Sequence, residues 1–325
     1  MKHRIFVTRR IPDAGLALLK SRKDVSLTVF PEDRAIPRAA LIKGVKGASV
    51  IVSLLTDKID GAVLDAAGPQ LKVVANYAVG FDNIDLAACA KRGVKVVNTP
   101  GVLSNAVAEH TFALMMAVTR RIPEADKYLR AGKYKGWAPM GFLGMGLQGK
   151  TLGVIGLGRI GKGVVDRAAR GMGMKIMYYD VKRDSAFEQE EPGTVYATID
   201  AILRKADVIS IHVPLLPSTH HLINAKKLAL MKKTAYLINT SRGPIIDEKA
   251  LVAALKKGRI AGAALDVFEN EPALASGLAE LPNVVLTPHI ASATIGARSD
   301  MAQLAAQGAL DVLDGKTPAN MVKTA

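Results

Sequence analysis

The chain has one cysteine, Cys89, in 325 residues, which excludes any disulfide within it. The thiol sits in Asp85-Leu86-Ala87-Ala88-Cys89-Ala90, which reads as a helix face where cysteine is a small buried hydrophobe. Aromatic residues are scarce, at 5%, and no basic stripe is interleaved with them. The net charge of +15 therefore does not point to nucleic acid. Its lysines are scattered in pairs such as Lys226-Lys227 and Lys256-Lys257, as on a solvated surface whose positive field speeds the arrival of anions. Long apolar runs are also lacking. The stretch Thr111 to Val118 is too short to cross a bilayer, and Ile5-Phe6-Val7 is too short for a signal-peptide core. The expectation is a soluble, cytoplasmic protein with no membrane or nucleic-acid partner. No His/Cys/Asp/Glu group has metal-ligand spacing, so no metal is expected, and neither a GxSxG elbow nor a P-loop is present.

What is present is a core-forming sequence, 49% apolar, too long for one hydrophobic core. Strand-like segments alternate with helix-like ones from Arg4-Ile5-Phe6-Val7-Thr8 onward, then through Val25 to Phe30, Ala48 to Leu55, Leu71 to Asn76 and Val94 to Asn98. The pattern starts again at Leu152 and continues to Val284-Val285-Leu286. Such alternation predicts two α/β units, each a parallel sheet covered on both faces. Between them, a helix from about Asn105 to Thr119 leads into a glycine-rich stretch, Gly132 to Gly149. That stretch is suited to be an arm meeting a second subunit. Ala302 to Leu313 reads as a last helix.

The most informative residues are Gly156-Leu157-Gly158-Arg159-Ile160-Gly161, which follow the apolar run Thr151-Leu152-Gly153-Val154-Ile155 and precede a helical stretch. The first glycine permits a tight strand-to-helix turn, the second lets backbone approach a pyrophosphate, and the third lets helix and strand pack closely. Free N–H groups at the helix start then face the phosphates. A second hydrophobic run ends in Asp180, placed to accept hydrogen bonds from a ribose 2′-hydroxyl. The implied ligand is a dinucleotide. Asp180 disfavours a 2′-phosphate, so NAD(H) is preferred, while Lys182 and Arg183 keep NADP(H) possible.

Three polar clusters end later strands, the edge where open α/β sheets bind ligands: Asn239-Thr240-Ser241-Arg242-Gly243, the run from Asp266 to Pro272, and Thr287-Pro288-His289. Arg242 presents a fork suited to a carboxylate, although a surface salt bridge explains it equally. His289 alone among six histidines follows a strand and a proline, with Ser292 nearby; as an imidazolium it can donate a proton to a carbonyl oxygen. His110 reads as a hydrogen-bonded core residue, and His212-Val213-Pro214 ends a strand where backbone meets an adenine. Glu271 beside the imidazole would keep it charged, whereas by itself it is a solvated loop carboxylate.

These segments together resemble the D-isomer-specific 2-hydroxyacid dehydrogenases, most closely their glyoxylate/hydroxypyruvate reductase branch. The likeness also rests on Gly80-Phe81-Asp82-Asn83-Ile84-Asp85, Asn98-Thr99-Pro100-Gly101 and Ala108-Glu109-His110. It implies two Rossmann-like doubly wound domains. The substrate-binding (catalytic) one is discontinuous, residues 1–100 and 287–325, and the dinucleotide-binding one is 101–286. It makes Arg242, Glu271 and His289 the catalytic set, with Arg242 clamping the substrate carboxylate, Glu271 holding the imidazole and His289 giving the proton. Val79 and Gly80 would offer N–H groups to that carboxylate, with Ser292 close by. Thr240 and Asp266 would meet the cofactor, Asp266 at the nicotinamide carboxamide, as would Pro214. The family implies a homodimer in which Trp137 reaches the neighbouring subunit's site. The expected reaction is NADH-dependent reduction of glyoxylate or hydroxypyruvate to glycolate or D-glycerate. The alternatives are D-lactate or D-3-phosphoglycerate dehydrogenase, and a non-catalytic NAD(H)-sensing regulator.

Overall fold

A computed structural model describes residues 2–323, and the chain divides into two compact units. The first begins β1 (His3–Val7), α1 (Asp13–Lys20), β2 (Val25–Val29), α2 (Arg38–Gly44), β3 (Val50–Ser53), α3 (Gly61–Ala67), β4 (Val73–Asn76), α4 (Leu86–Lys91) and β5 (Lys95–Val97). Its five strands are all parallel, in the order β2-β1-β3-β4-β5. Every residue of β3 and β4 is buried, as their unbroken apolar runs require of strands covered on both faces. On one face Phe6, Ile51 and Val74 pack with Leu41, Leu64 and Cys89. Burial pushes the Cys89 thiol up to about 11, the state of an inert core side chain.

The second unit holds α5 (Ser104–Thr119), α6 (Ile122–Arg130), β6 (Thr151–Ile155), α7 (Arg159–Asp166), β7 (Lys175–Tyr179), α8 (Ser185–Glu190), β8 (Thr194–Tyr196), α9 (Ile199–Lys205), β9 (Val208–Ile211), α10 (Ala225–Leu228), β10 (Tyr236–Asn239), α11 (Glu248–Lys256), β11 (Gly262–Leu265) and β12 (Val284–Leu286). Seven parallel strands run β12-β11-β10-β9-β6-β7-β8, so winding reverses between β6 and β9. That reversal opens a crevice at the carboxyl ends of β6 and β9, the ligand position of doubly wound sheets.

The last helix, α12 (Ile295–Leu313), begins earlier than the expected Ala302, because Thr294 caps it by accepting from the Ala297 N–H at 3.1 Å. It packs on α1 and β4, which makes the first unit discontinuous. The two helices approach so closely that a Cβ at Gly15 would lie 2.5 Å from the Ala302 carbonyl oxygen. Two elements escaped the sequence reading. The edge strand β8, Thr194-Val195-Tyr196, leaves Val195 exposed, so no apolar run marks it. Helix α6 buries none of its residues, so tertiary packing leaves no apolar run to detect.

The units divide after Leu103 and after Ser292, not at 100 and 286. Residues 287–292 thus lie with the second unit. The cause is Asp266, whose carbonyl accepts the His289 N–H at 2.9 Å and whose carboxylate accepts the N–H groups of Ile290 and Ala291, each at 2.8 Å.

Candidate active site

At the β6–α7 turn the three glycines do different work. Gly156 has φ +98°, and a Cβ there would sit 2.7 Å from the His212 backbone. A Cβ at Gly161 would overlap the Gly156 carbonyl oxygen, so this glycine lets α7 start against β6. At Gly158, by contrast, an added Cβ meets nothing within 4 Å, and no side chain caps α7. Exposed Gly158 and Arg159, half-buried Ile160 and the open N–H groups of α7 leave a cradle that a side chain at 158 would fill. A pyrophosphate fits that chemistry. Asp180, after β7, accepts from the Leu157 N–H and from the Val181 N–H, each at 2.7 Å, which fixes its carboxylate beside the loop. Across the crevice, His212 and exposed Pro214 follow β9. Burial pushes the His212 imidazole down to about 4, and its Nε2 is hydrogen-bonded to Ser210 Oγ at 2.8 Å.

The three proposed catalytic residues arise from three strand ends of the second unit. Arg242 follows β10, where Asn239 turns back to donate to the Arg242 carbonyl at 2.9 Å and accepts from the Ser241 N–H at 3.0 Å. The next residue, Gly243, lies against the loop after β11. A Cβ there would overlap the Phe268 carbonyl and the Glu269 nitrogen, so glycine alone lets the Arg242 and Glu271 loops abut. Glu271 Oε2 lies 3.0 Å from His289 Nδ1, while Oε1 accepts the Phe268 N–H at 3.0 Å. An ionised carboxylate only accepts, so Nδ1–H is the donor and Nε2 is the nitrogen left for substrate. Burial pushes Glu271 up, but the His289 hydrogen bond and charge, the Phe268 N–H and Arg242 outweigh it and hold the carboxyl below its ordinary value. His289 itself has φ +54°, strained for a residue with a side chain, and such outliers gather at functional sites.

Asp266 is fully buried and supports this loop. Besides the Ile290 and Ala291 N–H groups it accepts from the Thr287 hydroxyl at 2.6 Å. With that proton committed, Thr287 Oγ accepts from His110 Nε2 at 3.1 Å, so His110 is the hydrogen-bonded residue on α5 that the sequence implied. Burial pushes Asp266 up, yet these donors together keep it below its ordinary value. Thr240 is buried, its hydroxyl bonded to that of Thr111 at 2.7 Å. Ser292 is half-buried at the end of the same loop.

In the first unit, Val79 and Gly80 follow β4. Asn98 donates to the Val79 carbonyl and Asn76 to the Gly80 carbonyl, both at 2.8 Å. Carbonyl and N–H point oppositely across a trans peptide, so these bonds turn the N–H groups of Gly80 and Phe81 away from the asparagines. Trp137 is 84% exposed, in a stretch that also exposes Tyr134 and Met140. The sequence reading put Asn239, Gly243 and Thr287 in strand-end polar clusters and Asn76 at a strand end, but gave none of them a role of its own. Only the Arg242-Gly243-Pro244 order hinted at a close approach. Among the described residues no group of three metal ligands is assembled, and no helix is long and apolar enough to cross a membrane.

The family model described as D-isomer specific 2-hydroxyacid dehydrogenase, NAD binding domain, matches residues 112–291. A glyoxylate reductase of Thermococcus litoralis is 48% identical, over 99% of this chain and 97% of its own. One of Thermofilum pendens is 50% identical, over 98% and 94%. Among solved structures, the TT0316 protein of Thermus thermophilus superimposes with a TM-score of 0.91 at 42% identity, covering 98% of this chain and all of that one.

Proposed function

The chain belongs to the D-isomer-specific 2-hydroxyacid dehydrogenases, and we propose that it reduces a small 2-oxo acid, glyoxylate or hydroxypyruvate, to glycolate or D-glycerate, using NADH. The observation that carries this reading is the His289–Glu271 pair at 3.0 Å, set beside the Arg242 loop by the side-chain-free contact at Gly243. When bound, the nicotinamide supplies the hydride. The chain's own residues do the rest. Arg242 holds the substrate carboxylate in a charge-assisted fork, and the N–H groups of Val79 and Gly80 serve the same carboxylate, with Ser292 assisting. His289 Nε2 delivers a proton to the carbonyl oxygen as charge develops there, and Glu271 stabilises the imidazolium before transfer. On the cofactor side we assign Gly156, Leu157, Gly158, Arg159, Ile160 and Gly161 to the pyrophosphate, Asp180 to the ribose, Pro214 to the adenine, and Thr240 and Asp266 to the nicotinamide.

We favour NADH over NADPH because the Asp180 carboxylate, held beside the β6–α7 turn, would repel a 2′-phosphate, while Arg183 is engaged by Glu188 at 2.7 Å. We further propose that the first unit is the substrate-binding domain and the second the dinucleotide-binding domain. The working form we propose is a cytoplasmic homodimer in which Trp137 projects to the neighbouring subunit's site. The lone buried thiol suits a reducing compartment, and the exposed aromatic and apolar side chains of the arm suit burial against a second copy. The test follows NADH absorbance with glyoxylate, hydroxypyruvate, pyruvate and 3-phosphohydroxypyruvate, then repeats the set with NADPH. Fast oxidation with the first two and NADH is expected. NADH binding without turnover of any of the four would instead favour a sensor.

A further inference from the structure

Glu248 is a glutamate with 3% of its surface exposed, and its carboxylate bonds to main chain instead of to a cation. It opens α11, but it does not cap that helix, since Asp247 already accepts the Ala250 N–H at 2.9 Å. Its two oxygens instead reach across to the loop after β11. Oε1 accepts the Glu269 N–H at 2.7 Å and Oε2 the Ala275 N–H at 3.3 Å. The contact is reciprocal, because the Glu248 N–H donates to Glu269 Oε2 at 3.2 Å, and Glu269 Oε1 also pairs with His221 Nε2 at 2.7 Å. One carboxylate thus spans the loop from residue 269 to residue 275, and Glu271 lies between the two tied points. Burying a carboxylate with only neutral donors is costly, and more so here with two further glutamates close by: burial first, then Glu269 and Glu271, push Glu248 up.

We infer that Glu248 is a positioning residue for Glu271: by tying residues 269 and 275 it holds the loop at the height where Glu271 meets His289. This rests on the reading of Glu271 and His289 as a working pair. Glu248 touches no reacting atom; it acts through the loop. Gln at 248 keeps one acceptor but turns an amide NH2 toward a main-chain N–H, so one of the two ties opens with little change in volume.

The test is a double-mutant cycle on the full-length enzyme. It measures kcat and KM for glyoxylate, the NADH dissociation constant by fluorescence, and Tm, in wild type, Glu248→Gln, Glu271→Gln and the double variant. Misplacing a catalytic group by about 1 Å costs up to roughly 100-fold. Glu248→Gln is therefore expected to lower kcat about 10- to 100-fold while KM and the NADH constant stay within about twofold. In the Glu271→Gln background it is expected to cost nothing further, because the group it positions is already gone. Glu248→Asp, which keeps the charge on a shorter arm, is expected to show the same kcat-selective loss and serves if Glu248→Gln does not fold. Wild-type kcat in Glu248→Gln overturns the inference. So does a loss that multiplies fully with that of Glu271→Gln, or a joint worsening of kcat, KM and NADH binding with a fall in Tm. Impaired Glu271→Gln beside a normal Glu248→Gln leaves the reading of the pair standing. Wild-type kcat in Glu271→Gln itself fells that reading, and the positioning role with it.

Discussion

The sharpest single-atom perturbation of this site is Gly243→Ala. The added methyl carbon would fall inside the Phe268 carbonyl and the Glu269 nitrogen, far below the separation of about 3.5–4.0 Å at which carbon atoms rest. The two loops must then part by more than about 1 Å. One carries Arg242 immediately before the substitution, and the other carries Glu271 three residues beyond Phe268. Overpacking of this kind costs about 1–3 kcal/mol. For a unit of this size that is a Tm fall of roughly 2–4 °C per kcal/mol. The functional effect should be larger, because the carboxylate fork and the imidazole's partner both move: about 100-fold in kcat/KM. Thermal melting and steady-state reduction of glyoxylate, measured on one preparation, check both figures. NADH affinity is expected to fall far less than kcat/KM: Thr240 and Asp266 start these two loops, but the β6–α7 turn is elsewhere in the sheet. Wild-type kcat/KM with an unchanged Tm would refute the claim that the two loops are coupled through this contact.

Other expectations are as direct. Arg242→Lys keeps the charge but loses the planar fork, so KM for the 2-oxo acid should rise roughly 10- to 100-fold, the equivalent of about 1.5–3 kcal/mol; an unchanged KM would assign the carboxylate to other donors. Asp180→Ser removes the carboxylate we assign to the ribose and should shift the NADPH/NADH ratio of kcat/KM upward at least roughly tenfold, read from initial rates. His212 is held neutral in the folded chain, down to about 4, against about 6.5 when unfolded. Between those values the unfolded chain binds the extra proton, so stability falls as pH drops through the window, by about 2 kcal/mol from pH 7 to pH 5. Unfolding free energies from urea titrations at the two pH values should converge by that amount in His212→Asn, and an identical pH dependence in the variant would show that His212 is not the group.

The glycines of the β6–α7 turn were legible in the sequence because each has a local reason: a positive φ, an open approach, a close helix start. The apolar runs of β3, β4, β9 and β10 were legible because parallel strands covered on both faces need side chains of one kind throughout. His289 stood out by its place after a strand and a proline. The partnership was less visible, since Glu271 by spacing alone was an ordinary loop carboxylate and Arg242 an ordinary surface cation. Edge strand β8 and helix α6 carried no signal, since neither buries an apolar run.

The sequence by itself determined where the chain turns, which strands lie inside, and which residues carry charge or a proton at each strand end. Those properties follow from φ, periodicity and side-chain chemistry, all local. Only the tertiary structure decided which strand ends become neighbours, and therefore that residues 287–292 are held to the second unit by the Asp266 carboxylate. It alone showed that Gly243 is glycine because another loop's backbone occupies the space of a side chain, and that a buried glutamate on α11 spans the loop of Glu271. These are contacts between segments remote in sequence, set by the order of strands in the sheet, and no local pattern encodes them.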